Sequence, residues 1–259
     1  MKNKLEFLIK YLLFENEEYQ NIKIPDGENE RFKLFRSLVN ARPPKPVSEE
    51  FLAVQDAFLQ EITAKKGVVN YKSLTPVKPR VYLWKGDITT LRCGAVVNAA
   101  NSALLGCFCP CHSCIDNAIH TFSGVELRAE CAELMRRQGH EEPVGRAKIT
   151  CAYNLPCDKI IHTVGPYVDG AITKTHCERL RSCYSECLKT AADNGILSVA
   201  FCCISTGEFR FPNEEAARIA VETVSEFLQG NSEIEVIFNV FKDYDLEIYK
   251  KLLGADRAA

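Results

Sequence analysis

From Arg80 onward, short β-branched runs alternate with longer stretches of helical periodicity. Strands joined through helical crossovers pair in parallel, and a parallel sheet needs helices over its faces. Strands are expected at residues 81–84, 95–98, 148–153, 159–164, 198–204 and 235–241, and helices at 114–122, 125–137, 175–194, 213–229 and 243–253. In the fourth helix Ala217, Ala220, Val224 and Phe227 recur at helical spacing and would face the sheet. The class is α/β, with a mainly parallel sheet covered by helices.

The preceding part reads differently. Helices are expected at residues 2–19, 29–41 and 48–66, with Pro43, Pro44 and Pro46 forcing a break between the last two. A joint containing Pro76 and Pro79 follows, which divides the chain into a helical extension, 1–75, and a sheet domain, 76–259. The apolar run at residues 5–14 contains Lys10, is too short to span a bilayer and is followed by no small-residue cleavage site. An amphipathic helix in a cytoplasmic, reducing compartment is therefore expected. Thirteen cysteines, an odd number, then read as free thiols plus a metal site rather than a disulfide framework. With 32 basic against 34 acidic residues the net charge is -2, so no basic field draws the chain to nucleic acid or a membrane. An anionic ligand has to be captured by local geometry.

In an open parallel sheet such capture happens beyond the carboxyl ends of the strands. After the first strand, Asp87 follows Gly86; its carboxylate can accept from an exocyclic amine such as that of adenine, with the Ile88 amide alongside, or it can simply cap a turn. After the second strand come Asn98 and Asn101, whose carboxamides suit ribose hydroxyls or an asparagine turn. The fifth strand runs into Ser205, Thr206, Gly207, Glu208 and Phe209 and then a helix, an arrangement that aims several amides at one point and can hold a pyrophosphate. No lysine follows the glycine, so the loop is not a Walker motif and triphosphate hydrolysis is disfavoured. Phe241 ends the last strand, as a core aromatic or as a platform for a base.

The densest signal is residues 107–114, where four cysteines and one histidine lie within eight positions. Mixed thiolate and imidazole donors favour zinc. Cys107, His112 and Cys114 make a three-donor set that keeps a position open for chemistry; a fourth donor from Cys109 or Cys111 would close it into a structural site. Asp116 stands at the start of the next helix, as a reactive carboxylate or as a first-turn residue favoured by the helix dipole, and His120 one turn on reads as a core or capping histidine.

In order and distance, Gly86-Asp87-Ile88, Val97-Asn98-Ala99-Ala100-Asn101, Ile115-Asp116-Asn117-Ala118-Ile119-His120, Ile204-Ser205-Thr206-Gly207 and Phe241 resemble the macrodomain family over residues 80–255. The glycine run that most members carry after Asn-Ala-Ala-Asn is replaced here by the cysteine–histidine insertion. That departure resembles the zinc-dependent subgroup, which also has a helical N-terminal extension. The resemblance implies a three-layer α/β/α fold with a mixed, mainly parallel sheet and one zinc ion on Cys107, His112 and Cys114. It implies an ADP-ribose cleft contacted by Asp87, Ile88, Asn98, Asn101, Cys114, Ile115, Asp116, Asn117, the 205–209 loop and Phe241, with Asn101 and Asp116 as catalytic residues. Glu208 and Arg210 stand where many members have small or apolar residues. The activity implied is removal of mono-ADP-ribose from modified proteins, in some bacteria a lipoyl-carrier protein modified by a sirtuin. The alternative is a reader that binds ADP-ribose around a structural zinc and leaves it intact.

Overall fold

The computed structural model describes residues 1–231 and 233–255. Three helices open the chain, α1 (Lys2–Phe14), α2 (Glu28–Ala41) and α3 (Glu49–Lys66). The first is shorter than periodicity alone predicts, because the Asn16 side chain takes the Glu18 amide at 3.1 Å and starts a separate 3-10 turn, Glu17–Tyr19. Ser48 caps α3 by accepting from the Phe51 amide at 3.1 Å, and Gly67 at φ +89° stops it.

The chain continues with β1 (Val69–Asn70), β2 (Val81–Lys85), β3 (Leu91–Arg92), β4 (Ala95–Ala100), α4 (Ile115–Ser123), α5 (Val125–Gln138), β5 (Ala147–Cys151), β6 (Lys159–Val164), α6 (Lys174–Asp193), β7 (Ser198–Phe201), α7 (Asn213–Gly230), β8 (Glu235–Val240) and α8 (Asp243–Leu253), β1 falling within residues 1–75. Six strands form one sheet in the order β2-β8-β7-β4-β6-β5, parallel except where β5 pairs antiparallel with β6. Helices α6, α7 and α8 line one face, with α6 on β5 and β6 and α8 on β2; α4 and α5 pack against β4 and β5 on the other, and α2 and α3 lie outside α4. Three layers result, with the N-terminal helices added beyond one of them.

Two features position the cleft. β7 leaves the ladder after Phe201, three residues before the apolar run ends, and β4 pairs with it only through Ala95–Val199 and Val96–Ala200. No β4–β7 pairing continues beyond these residues, and it is outside the carboxyl ends of such central strands that parallel sheets offer a crevice for ligands. The extension is also continuous with the domain core. Phe35 and Phe58 meet edge to face at 5.4 Å, and Phe32 stacks on Phe122 of α4 at 6.1 Å.

Candidate active site

One end of the crevice is built by β2, β8 and the end of α3. Asp87 caps a 3-10 turn, its Oδ1 accepting from the Thr89 amide at 3.0 Å and the Thr89 hydroxyl at 2.6 Å. Its Oδ2 accepts from Lys66 Nζ at 2.8 Å, and the same ammonium lies 3.4 Å over the Phe122 ring. Burial pushes this carboxyl up, but Lys66 and Thr89 outweigh it and hold the group below its ordinary range. Ile88 is buried beside it. Register places Phe241 nearby: Lys85 pairs with Val240, the Gly86 amide donates to Val240 O at 3.0 Å, and the Phe241 ring is 73% exposed. Asn239 fastens the turn by donating to Gly86 O at 3.0 Å.

At the centre, Asn98 is fully buried and donates to Asp116 Oδ1 at 2.8 Å. Its amide also meets His162 Nδ1 at 3.1 Å, on the neighbouring strand at the same register. Asn101, just past β4, donates to Gly106 O at 3.0 Å and lies 3.4 Å from Asp116 Oδ2. Burial pushes the Asp116 carboxyl up to about 6, against the lowering pull of Asn98 and the Arg128 charge. His120 packs behind it, with Nε2 3.6 Å from Asp116 Oδ1; burial holds its pKa well below the ordinary value, so the ring is neutral. His120, Cys131 and His162 also converge as possible cation donors. Burial lowers His162 to about 4, and both of its nitrogens are engaged, Nδ1 by Asn98 and Nε2 by Thr150 at 2.9 Å. With Nδ1 accepting, Nε2 carries the proton and is no free ligand.

The cysteine loop crosses the mouth of this centre. Cys107, His112 and Cys114 bring their donor atoms within 4.8 Å of one another. Cys111 Sγ instead contacts Lys33 O and Ser37 Oγ, each at 3.3 Å, and Cys109 is exposed, its carbonyl accepting from Asn117 at 2.9 Å. The set of three fits a divalent cation. Two thiols and an imidazole are zinc's preferred donors, and His112 Nδ1 is buried with no hydrogen-bond partner among the described residues. Burial pushes the Cys114 thiol up to about 12; a cation is the partner that would make it a thiolate at neutral pH. Asn117, fully buried, holds this loop through its carboxamide nitrogen while its Oδ1 accepts from Arg36 of α2, and Cys114 caps α4 by accepting from the Asn117 amide.

The loop after β7 faces the cysteine loop. Ser205 sits at φ +65° with its hydroxyl buried, and Gly165 makes room for it, since a Cβ there would lie 2.0 Å from Ser205 Oγ. The turn is closed by Phe211 N donating to Ser205 O at 2.9 Å and Arg210 N to Gly207 O at 3.0 Å. Glu208 reaches across, with Oε1 3.5 Å from His112 Nε2, and Phe209 meets Tyr167 edge to face at 6.0 Å. The 205–209 backbone and the metal-donor loop are therefore opposite lips of one crevice. Ile115, half-buried at the first position of α4, stands beside Cys114 on the inner lip.

Sequence reasoning missed Lys66, Arg36, Arg128, His162 and Asn239. Arg36 bonds His112 O at 2.7 Å across 76 positions, and Arg128 holds Leu105 O at 2.7 Å and the carbonyls of Val39 and Asn40 at 2.9 Å. No local pattern encodes such pairs. The proton chemistry of His162 was legible only as one polar residue inside an apolar strand.

The macro domain family matches residues 97–220. The chain is 52% identical over 258 residues to a protein-ADP-ribose hydrolase of Treponema medium, covering 98% of this chain and 99% of that one. A protein of the same name from Staphylococcus aureus is 48% identical, over 98% and 97%. Among solved structures, an Oceanobacillus iheyensis macrodomain with ADP superposes with a TM-score of 0.62 at 36% identity, over 68% of this chain and 90% of that one. A Trypanosoma brucei macrodomain in complex with ADP-ribose gives 0.66 at 28%, over 85% and 95%.

Proposed function

The chain belongs to the macro domain family, and on that premise we propose that it is a zinc-dependent hydrolase that releases mono-ADP-ribose from modified proteins. The observation that carries this reading is the convergence of Cys107, His112 and Cys114 on the lip of the crevice beside Asp116, with Glu208 of the opposite lip within 3.5 Å of His112. Relatives named protein-ADP-ribose hydrolase align along nearly the whole chain, extension included. In this reading the base of ADP-ribose lies between Phe241 and the Asp87–Ile88 turn, the diphosphate follows the amides of residues 205–209, and the distal ribose meets Asn101 and the cysteine loop.

Cys107, His112 and Cys114 would hold the zinc, which when bound would supply a Lewis acid for the hydrolysis. Asp116 takes the proton of the attacking water, and its raised pKa suits that task near neutrality. Asn98 fixes the Asp116 carboxylate from beneath, and Asn101 exchanges its Gly106 bond for the ribose hydroxyls, presenting the anomeric carbon. The test is a mono-ADP-ribosylated protein, a lipoyl-carrier protein among the first substrates to try, assayed for free ADP-ribose. Cys107→Ala and His112→Ala should abolish release while ADP-ribose binding persists. Turnover that survives both substitutions and a chelator rules the mechanism out. Intact wild-type protein that binds but never releases ADP-ribose makes the chain a reader.

A further inference from the structure

Residues 101–114, between β4 and α4, carry no strand or helix, yet this segment must hold three donors in register. Its support comes from α2. Lys33, Arg36, Ser37 and Asn40 follow the i, i+3, i+4, i+7 spacing of one helix face. All four bond the loop side. Arg36 Nη2 donates to His112 O at 2.7 Å, and Arg36 grips Asn117 Oδ1 through Nη2 at 2.7 Å and Nε at 3.1 Å. Asn40 Oδ1 accepts from the Cys111 amide at 3.0 Å, while Lys33 O and Ser37 Oγ contact Cys111 Sγ. Asn117 passes the grip on, donating to Cys109 O at 2.9 Å and Cys107 O at 3.4 Å. The neighbouring face of α2 is apolar, with Phe35, Leu38 and Val39 buried in the core.

We propose that α2 of the N-terminal extension is the template of the metal loop, and that Arg36 is the positioning residue that sets the His112 and Cys107 donors through His112 O and Asn117. The proposal rests on the zinc reading above and assigns the extension a role in it. An unsupported loop would have to be ordered by the ion itself, which subtracts that ordering free energy from metal affinity. A guanidinium suits the task because its fork serves two acceptors at once, and an ammonium cannot reproduce that geometry. Groups that orient metal ligands typically change affinity by about 10–100-fold when removed.

The experiment uses the full chain and zinc alone, with affinity read by competition against a chromophoric chelator and geometry by the spectrum of the cobalt-substituted protein. Arg36→Gln should weaken zinc about 10–100-fold and alter the cobalt–thiolate absorption, with Arg36→Lys in between. Asn117→Asp keeps the acceptor for Arg36 but removes the donors to Cys107 and Cys109, so it should lose affinity similarly and reports the clamp even if the Arg36 variants fold poorly. Arg31→Gln is the control on the same helix, since Arg31 bonds Pro25 O and not the loop. Wild-type zinc affinity in Arg36→Gln and Asn117→Asp, or an equal loss in Arg31→Gln, overturns the proposal alone. Wild-type protein that takes up no zinc overturns it together with the metal reading.

Discussion

Burial of the Asp116 carboxyl carries a cost in stability. Its folded pKa of about 6 lies above the ordinary value of 3.8, so burial penalises the ionised form. The unfolded chain therefore binds fewer protons than the folded one between those values, and stability falls as pH rises through that window. The penalty is complete above about 6 and absent below 3.8. A base, by contrast, works only when ionised, so hydrolysis should rise with pH through the Asp116 titration, at about 6 without a cation and lower with one beside it, and then level off. Asp116→Asn should cut the rate by roughly 10²–10⁴-fold. It should leave the melting temperature above that pH unchanged or higher, which paired rate profiles and melts would reveal. An acid rate limb absent at and below about 6, or a melting point that drops at alkaline pH, would remove Asp116 from the role of buried base.

Gly106 poses a different constraint at the same scale. Its φ of +79° suits glycine, and a Cβ there would sit 2.7 Å from His120 Cδ2 and Cγ. Gly139 has a similar φ, +75°, with nothing within 4 Å. Gly139→Ala should therefore cost only backbone strain, about 1 kcal/mol, whereas Gly106→Ala adds the clash and should cost about 2–4 kcal/mol in urea denaturation. Equal costs would mean that the His120 ring yields freely.

Among the elements, the extension behaves as part of the core rather than as an attachment. Phe35 and Phe58 are both essentially inaccessible and touch each other, and Phe32 carries the contact to Phe122 of α4. Phe35→Ala should lower stability by about 3–5 kcal/mol. The loss should appear in a single transition by both near- and far-ultraviolet circular dichroism; two separated transitions would show that the extension unfolds independently. These helices were legible as helical runs, and the break between the last two from Pro43, Pro44 and Pro46, whereas the Ser48 cap on α3 shows only in the structure. The early stop of α1 was missed because Asn16 acts through one hydrogen bond that periodicity does not register. β1 and β3 were missed because two residues per strand show no alternation. The end of β7 was missed because an apolar run continues past the point where its neighbour diverges.

For the whole molecule, the candidate site is legible in sequence where its residues are consecutive. The turn at Asp87, the Asn98 and Asn101 pair, the cysteine loop and the turn after β7 all lie at strand ends, so topology alone gathers them in one crevice. What stayed hidden acts across the chain: Lys66 on Asp87, Arg36 on His112, Arg128 on the ends of α2 and the cysteine loop. The Lys66–Asp87 pair is partly exposed and should add less than about 1 kcal/mol to stability. Its larger effect is on the Asp87 carboxyl, which it helps to hold below the ordinary range.

Because the cysteine loop is tied to α2 through Arg36 and its approach at Leu105 to α5 through Arg128, an ion bound there should be felt by global unfolding and not only locally. A ligand that binds the folded state alone adds about 2.7 kcal/mol at 100-fold its dissociation constant. For a chain of this size that corresponds to a rise in melting temperature of roughly 5–10 °C. Thirteen free thiols complicate the reference, because an unfolded chain with exposed cysteines also takes up zinc and reduces the gain. Cys107→Ala resolves this: it removes one folded-state donor and leaves twelve thiols in the unfolded chain, so its melting point should stay flat or fall as zinc is added while that of the wild type rises. A parallel rise in both proteins would place the stabilising ion elsewhere, because the only difference between them is one sulfur on the lip of the crevice.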